Sequence, residues 1–139
     1  MRDQDVIDCV GYYLSKLKNG DFDCAFQGLI DVGDSVIPHL INAFHLETDP
    51  SIRAELVRIV WQYRRQESLA FLGEALRDPH PNVWKSALDG LVTIGTKSAL
   101  KTLLAGLTRS FQNKQEADIF KKWVDEAIEQ VQIQISENN

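Results

Sequence analysis

Residues 78–95 read DPHPNVWKSALDGLVTIG. Two prolines precede a run of apolar residues at helical spacing, and a glycine closes it. Proline near a helix start costs nothing, because its missing N–H would be unpaired there anyway. Glycine just past the end makes the left-handed turn that stops a helix. The stretch therefore predicts one helix with its start and stop signals attached.

Displacing the chain by 31 residues brings a second copy into register. Pro50 falls on Pro81, Ile52 on Val83, Val60 on Leu91 and Tyr63 on Ile94. Leu69, Leu72 and Leu76 fall on Leu100, Leu103 and Leu107, as a repeated core requires. A displacement of 62 brings AFQGLIDVG (25–33) onto ALDGLVTIG (87–95), with Ala25, Gly28, Leu29 and Gly33 identical to their partners. With one residue fewer in its connection, VIPHLINAF (36–44) then aligns with LAFLGEAL (69–76) and ALKTLLAGL (99–107).

Each unit predicts two helices. The first starts at a proline turn, TDPS (48–51) or DPHPN (78–82), where Asp49 or Ser51, and Asn82, are suited to cap free amides. It ends at Gly33 or Gly95, in the left-handed region. The second runs back with an apolar stripe, in unit one Val36, Ile37, Leu40, Ile41 and Phe44. Residues 3–18 and 115–135 predict amphipathic helices that cap the two ends of a stack. VQIQI (131–135) alternates like a strand but is read as the end of the last helix. The expectation is about eight helices in one domain, with repeats at 21–49, 50–80 and 81–111 between caps at 1–20 and 112–139. Leu29, Leu40, Leu72, Leu91 and Leu103 are the predicted centre of its core.

The run DPHPNVWKSALDGLVTIGTKSALKTLLAGL resembles a HEAT repeat, close to the short kind of phycobilisome lyases and many small bacterial proteins. The resemblance covers residues 21–110 and is strongest in unit three. It implies an all-α, right-handed α-α superhelix. In unit two Arg64-Arg65 stands where unit three has Gly95-Thr96. Trp84 takes a place where the family often has arginine, which unit two keeps as Arg53. Family geometry implies that the second helices line a concave side. His39, Asn42 and His45 would point into it from unit one, Phe71, Glu74 and Arg77 from unit two, and Lys101, Thr102 and Arg109 from unit three. A repeat of this kind reports architecture: a helix pair cannot bury both apolar stripes alone, so it recurs and stacks.

Composition narrows the function. The 139 residues are 44% apolar and 25% charged, ordinary for a globular domain. No apolar run approaches the ~18 residues of a membrane span. MRDQDVIDCV lacks the basic-then-apolar layout of a signal peptide, so a cytoplasmic location is expected. Cys9 and Cys24 form no disulfide framework and read as small buried groups. The net charge is −5, but residues 1–50 carry −6 and residues 51–139 carry +1. An acidic end attracts basic protein surfaces and repels nucleic acid.

No nucleophile or phosphate-loop motif is present. His39 and His45 lie six apart and do not share a helix face, and His80 sits in a proline turn. Asp31 and Asp34 flank Gly33 and read as turn formers. Arg53, Arg58, Arg64 and Arg65 are the one basic cluster and read mainly as a solvated face. Trp61, Tyr63 and Trp84 read as core or inter-repeat filler, with the indole N–H groups finding partners. Catalytic, cofactor and metal residues are expected to be absent.

The expected function is therefore a non-enzymatic protein-binding module, monomeric or weakly self-associating, that works through His39, Asn42, Phe71, Glu74, Arg77, Lys101 and Thr102. An immunity- or antitoxin-type inhibitor of a basic protein, or an adaptor, is the specific version. The family resemblance implies an alternative, a phycobilin lyase-like protein handling a chromophore. A nucleic-acid binder is less favoured by the charge.

Overall fold

Local capping chemistry sets the boundaries of most elements. The structure, a computed structural model, describes residues 2–138. Helix α1 (Asp3–Lys18) places Asp3 and Asp5 in its first turn and Lys16 and Lys18 in its last, matching the helix dipole at both ends. Asp21 caps α2 (Phe22–Val32) by accepting from the Cys24 amide at 3.4 Å. A single 3-10 turn, Asp34–Val36, leads into α3 (Ile37–Leu46). Asp49 caps α4 (Pro50–Gln62) through the Ser51 amide at 2.8 Å. Helix α5 (Gln66–Ala75) follows Arg65 and has no side-chain cap. Helix α6 (Pro81–Ile94) precedes α7 (Lys97–Gly106), which Thr96 caps, and the last helix, α8 (Lys114–Glu137), is capped by Asn113.

Eight α-helices and no strand occur among the described residues, so VQIQI is helical. Two details depart from expectation. Asn82 lies inside α6, and the cap is the His80 ring, whose Nδ1 accepts from the Asn82 amide at 3.3 Å. Gly33 has φ 105° and ψ −179°, not the left-handed helical values of Gly95 (φ 61°, ψ 27°), because a 3-10 turn follows it directly.

The helices form two layers. One contains α2, α4 and α6, with α4 against α6 the most extensive contact in the molecule. The other contains α3, α5 and α7, each touching the next. Helix α1 closes one end against α2 and α3, and α8 closes the other against α6 and α7. Leu29, Leu40, Leu72, Leu91 and Leu103 are all fully buried between the layers. Each removes apolar area worth about 1.5–3 kcal/mol.

The shared glycines of units one and three have a packing reason. A Cβ on Gly90 would sit 2.6 Å from the Trp61 ring, and one on Gly28 would sit 2.1 Å from Tyr13. In both units an aromatic ring from a preceding helix lies on the bare backbone. The Trp61 indole N–H is buried there with no acceptor among the described residues, contrary to the expectation of a partner.

Candidate protein-binding face

The exposed side of α3, α5 and α7 carries most of the residues singled out from the sequence. Asn42 and His45 are exposed on α3, Glu74 and the neighbouring Arg77 at the end of α5, and Lys101 on α7. His39 and Thr102 are half-buried, and the Thr102 hydroxyl donates to the Ser98 carbonyl at 3.1 Å.

Phe71 corrects the expectation of an exposed aromatic. It is 3% exposed and meets Phe44 edge-on at 4.9 Å between ring centres. Its position on α5 turns it inward, where α3 and α5 touch, so it is core and offers nothing to a partner. Arg109 is half-buried as well. Its Nη1 donates to the Leu76 carbonyl at 2.7 Å, and the guanidinium lies over the rings of Phe111 and Phe120. Desolvation lowers its pKa, against a smaller opposing effect of the Asp78 charge.

Arg53 explains why Arg109 sits there. Arg53 stacks on the Phe44 ring, donates to the Phe44 carbonyl at 3.3 Å and pairs with the buried Asp78. Thus one arginine serves the carbonyl at the end of α3. In the next unit Trp84 occupies that arginine's place and packs into the core against Phe120 and Trp123. The equivalent carbonyl, on Leu76, is then served by Arg109 from the far side of α7.

The basic cluster divides the same way. Arg58 is held by Glu55 through Nε at 3.0 and 2.9 Å and covers the Phe26 ring. The Glu55 hydrogen bond raises its pKa, with desolvation opposing. Arg65 reaches Asp34 at 3.5 Å. Of these four side chains, Arg64 alone has neither ion pair nor hydrogen bond among the described residues.

Two contacts cross between units on this face. His45 and Glu74 are hydrogen-bonded at 2.7 Å, spanning α3 to α5. Arg77 Nη2 donates to the Thr108 hydroxyl at 3.1 Å, spanning α5 to the end of α7. Between these helices lies a depression of about 310 Å³ lined by Leu69, Ala70, Gly73, Arg77, Lys101 and Thr102. It continues toward Gln66 and Ser98 at the helix starts. Small residues make its floor, and both of its charged side chains are cations.

Other surface residues carry no signal in the sequence. Leu107, aligned with the fully buried Leu76, is 38% exposed, and Leu104 is exposed beside it. Leu76 is covered by α7, with its Cδ1 3.1 Å from the Cβ position of Gly106. Among the described residues Leu107 stays open to solvent. Position in the stack, which apolar spacing does not encode, separates the two leucines.

The acidic residues of the first 50 positions lie elsewhere. Asp3, Asp5 and Asp8 are exposed on α1, and Asp23 and Asp31 on α2. No helix of the described residues is long and apolar enough to cross a membrane. Nowhere among them do three or more His, Cys, Asp or Glu side chains gather as a metal site would require.

No curated protein and no solved structure matches the chain. A family model described as HEAT repeats matches residues 37–117, which take in α3 to α7 and the start of α8. Paired helices stacked in two layers, with the repeat visible in the sequence and more than half of the chain matched, establish that this chain belongs to the HEAT-repeat family.

Proposed function

We propose that residues 1–139 act as one non-enzymatic module that binds a protein partner across the α3–α5–α7 face. HEAT repeats in general mediate protein–protein interaction. The observation that carries the reading is that Asn42, His45, Glu74, Arg77 and Lys101 are exposed on α3, α5 and α7, which touch one another in turn. Stacked repeats create extended binding surfaces of this kind. The reading extends to an inhibitor or adaptor working in the cytoplasm. The aspartates of α1 and α2 add a long-range attraction for the basic side of such a partner. The depression between α5 and α7 has no cysteine and no aromatic ring in its lining, which favours a peptide-like occupant over a planar chromophore.

The test is affinity capture with wild type and with Ala70→Trp, which fills the depression from an exposed position. A partner retained by wild type and lost with Ala70→Trp, then purified and measured, supports this face. A partner held equally by both moves the contact to another surface. For the partner so obtained, Asp21→Asn with Asp23→Asn lowers the association rate at low salt, and the effect fades at high salt. Asparagine keeps the cap that Asp21 provides to α2.

A further inference from the structure

Three units with similar backbones treat the grooves between their second helices differently. Across α3 and α5, His45 and Glu74 answer each other. Across α5 and α7, the ionisable side chains lining the groove are Lys101 and Arg77. Lys101 has no ion pair or hydrogen bond among the described residues, and Arg77 bonds only the neutral Thr108 hydroxyl. Arg65 and Lys97 directly precede Gln66 and Ser98, which line the mouth.

Arg64 adds an independent observation. It holds a left-handed backbone, φ 54°, where unit three has glycine at φ 61°. An L-residue is strained there where glycine is not. Among the described residues the exposed Arg64 side chain has no hydrogen bond or ion pair.

From these observations we infer that the α5–α7 groove binds an extended acidic segment of the protein partner. The inference rests on the α3–α5–α7 face being the binding face. Glutamate or aspartate side chains of the segment meet Lys101 in the middle and Arg77 at one end, with Lys97 next to Ser98 at the mouth. The floor of Ala70, Gly73, Ala105 and Gly106 lets a backbone approach closely. Ten residues of α5 give a groove of ~15 Å at 1.5 Å per residue. About four to five residues of extended chain span that length. A nucleic-acid strand needs many cations together, and the groove lining supplies only Arg77 and Lys101.

The experiment uses fluorescein-labelled peptides of about eight residues in anisotropy titrations. One alternates glutamate with alanine, and two counterparts carry glutamine or lysine in place of glutamate. A thymidine oligonucleotide of equal charge is the fourth probe. The glutamate peptide is expected to bind wild type at least about tenfold more tightly than the other three probes. Lys101→Glu and Lys101→Gln each weaken it by about tenfold or more, and Ala70→Trp abolishes it. Lys114→Glu, the same charge change on the exposed start of α8, leaves it unchanged. Equal binding of glutamate and glutamine peptides, or full binding to Lys101→Glu, overturns the inference. Preference for the oligonucleotide also overturns it, as does failure of every probe to bind. Tight binding of the lysine or glutamine peptide that Ala70→Trp removes overturns the acidic segment while leaving the binding face in place.

Discussion

Arg64 and Gly95 occupy the same place in successive repeats and share the left-handed backbone, φ 54° and 61°. The turn between the two helices of a unit requires that geometry whichever residue fills it. Glycine adopts it without strain, and arginine does not. Arg64→Gly is therefore expected to raise unfolding stability, by up to about 1 kcal/mol after the extra chain entropy of glycine is subtracted. Gly95→Ala loses about 1–2 kcal/mol from the backbone alone. It also pushes a Cβ to 2.0 Å from the Gln134 side chain, which must swing away from the Val92 carbonyl. Urea unfolding of both variants checks the pair, and an Arg64→Gly protein less stable than wild type contradicts the strain.

The partly exposed Arg53 pairs with the buried Asp78, joining the start of one unit to the turn before the next. Arg53→Met leaves the Asp78 carboxylate buried without its cation and the Phe44 carbonyl without its donor. A loss of about 3–5 kcal/mol is expected. Adding Asp78→Asn removes the stranded charge and keeps an acceptor for the His80 amide, so the double variant recovers part of that loss. A double-mutant cycle measured by thermal unfolding reads the coupling; a cycle that closes to zero shows the pair to be incidental.

Phe71→Ala is a stability variant. It opens a hole beside Phe44 and costs about 3–5 kcal/mol, while Leu91→Ala and Leu103→Ala cost about 2–5 kcal/mol each. Calorimetry tests all three, and wild-type melting of the two leucine variants would show that the repeats are out of register.

Tyr63 fixes one pH response. Its hydroxyl donates to the Leu29 carbonyl at 2.5 Å. Burial, and secondarily the charge of Asp34, raise its pKa above the ordinary phenol value. The folded state therefore holds the proton longer than the unfolded chain, which releases it near pH 10. Its contribution is complete below about pH 10 and is lost as pH rises beyond that value. Tyr63→Phe loses about 0.5–1.5 kcal/mol of hydrogen bonding at neutral pH but falls off less steeply in alkali. Denaturant midpoints between about pH 7 and pH 11 give the two slopes, and parallel slopes refute the assignment.

Periodicity and punctuation were enough to establish the helix pairs, the order of the stack and the five central leucines. The reason is that i, i+3, i+4 spacing and proline or glycine at element ends are local properties of the chain. The side chains that a partner meets are set by neighbours far along the chain, and spacing does not report them. Phe71 looks outward by its place between stripe positions, yet α3 supplies Phe44 to cover it. Leu107 reads as core by its match to Leu76, yet among the described residues it stays partly exposed. Trp84 displaces an arginine, and only folding shows Arg109 brought to the vacated carbonyl. The four arginines form one cluster in sequence; in space three find carboxylates and Arg64 does not. The net charge of each half could be counted from residues alone. That the aspartates face out from α1 and α2 while Lys101 and Arg77 line a groove follows from the stacking of helices, which alone determines which side of each one meets water.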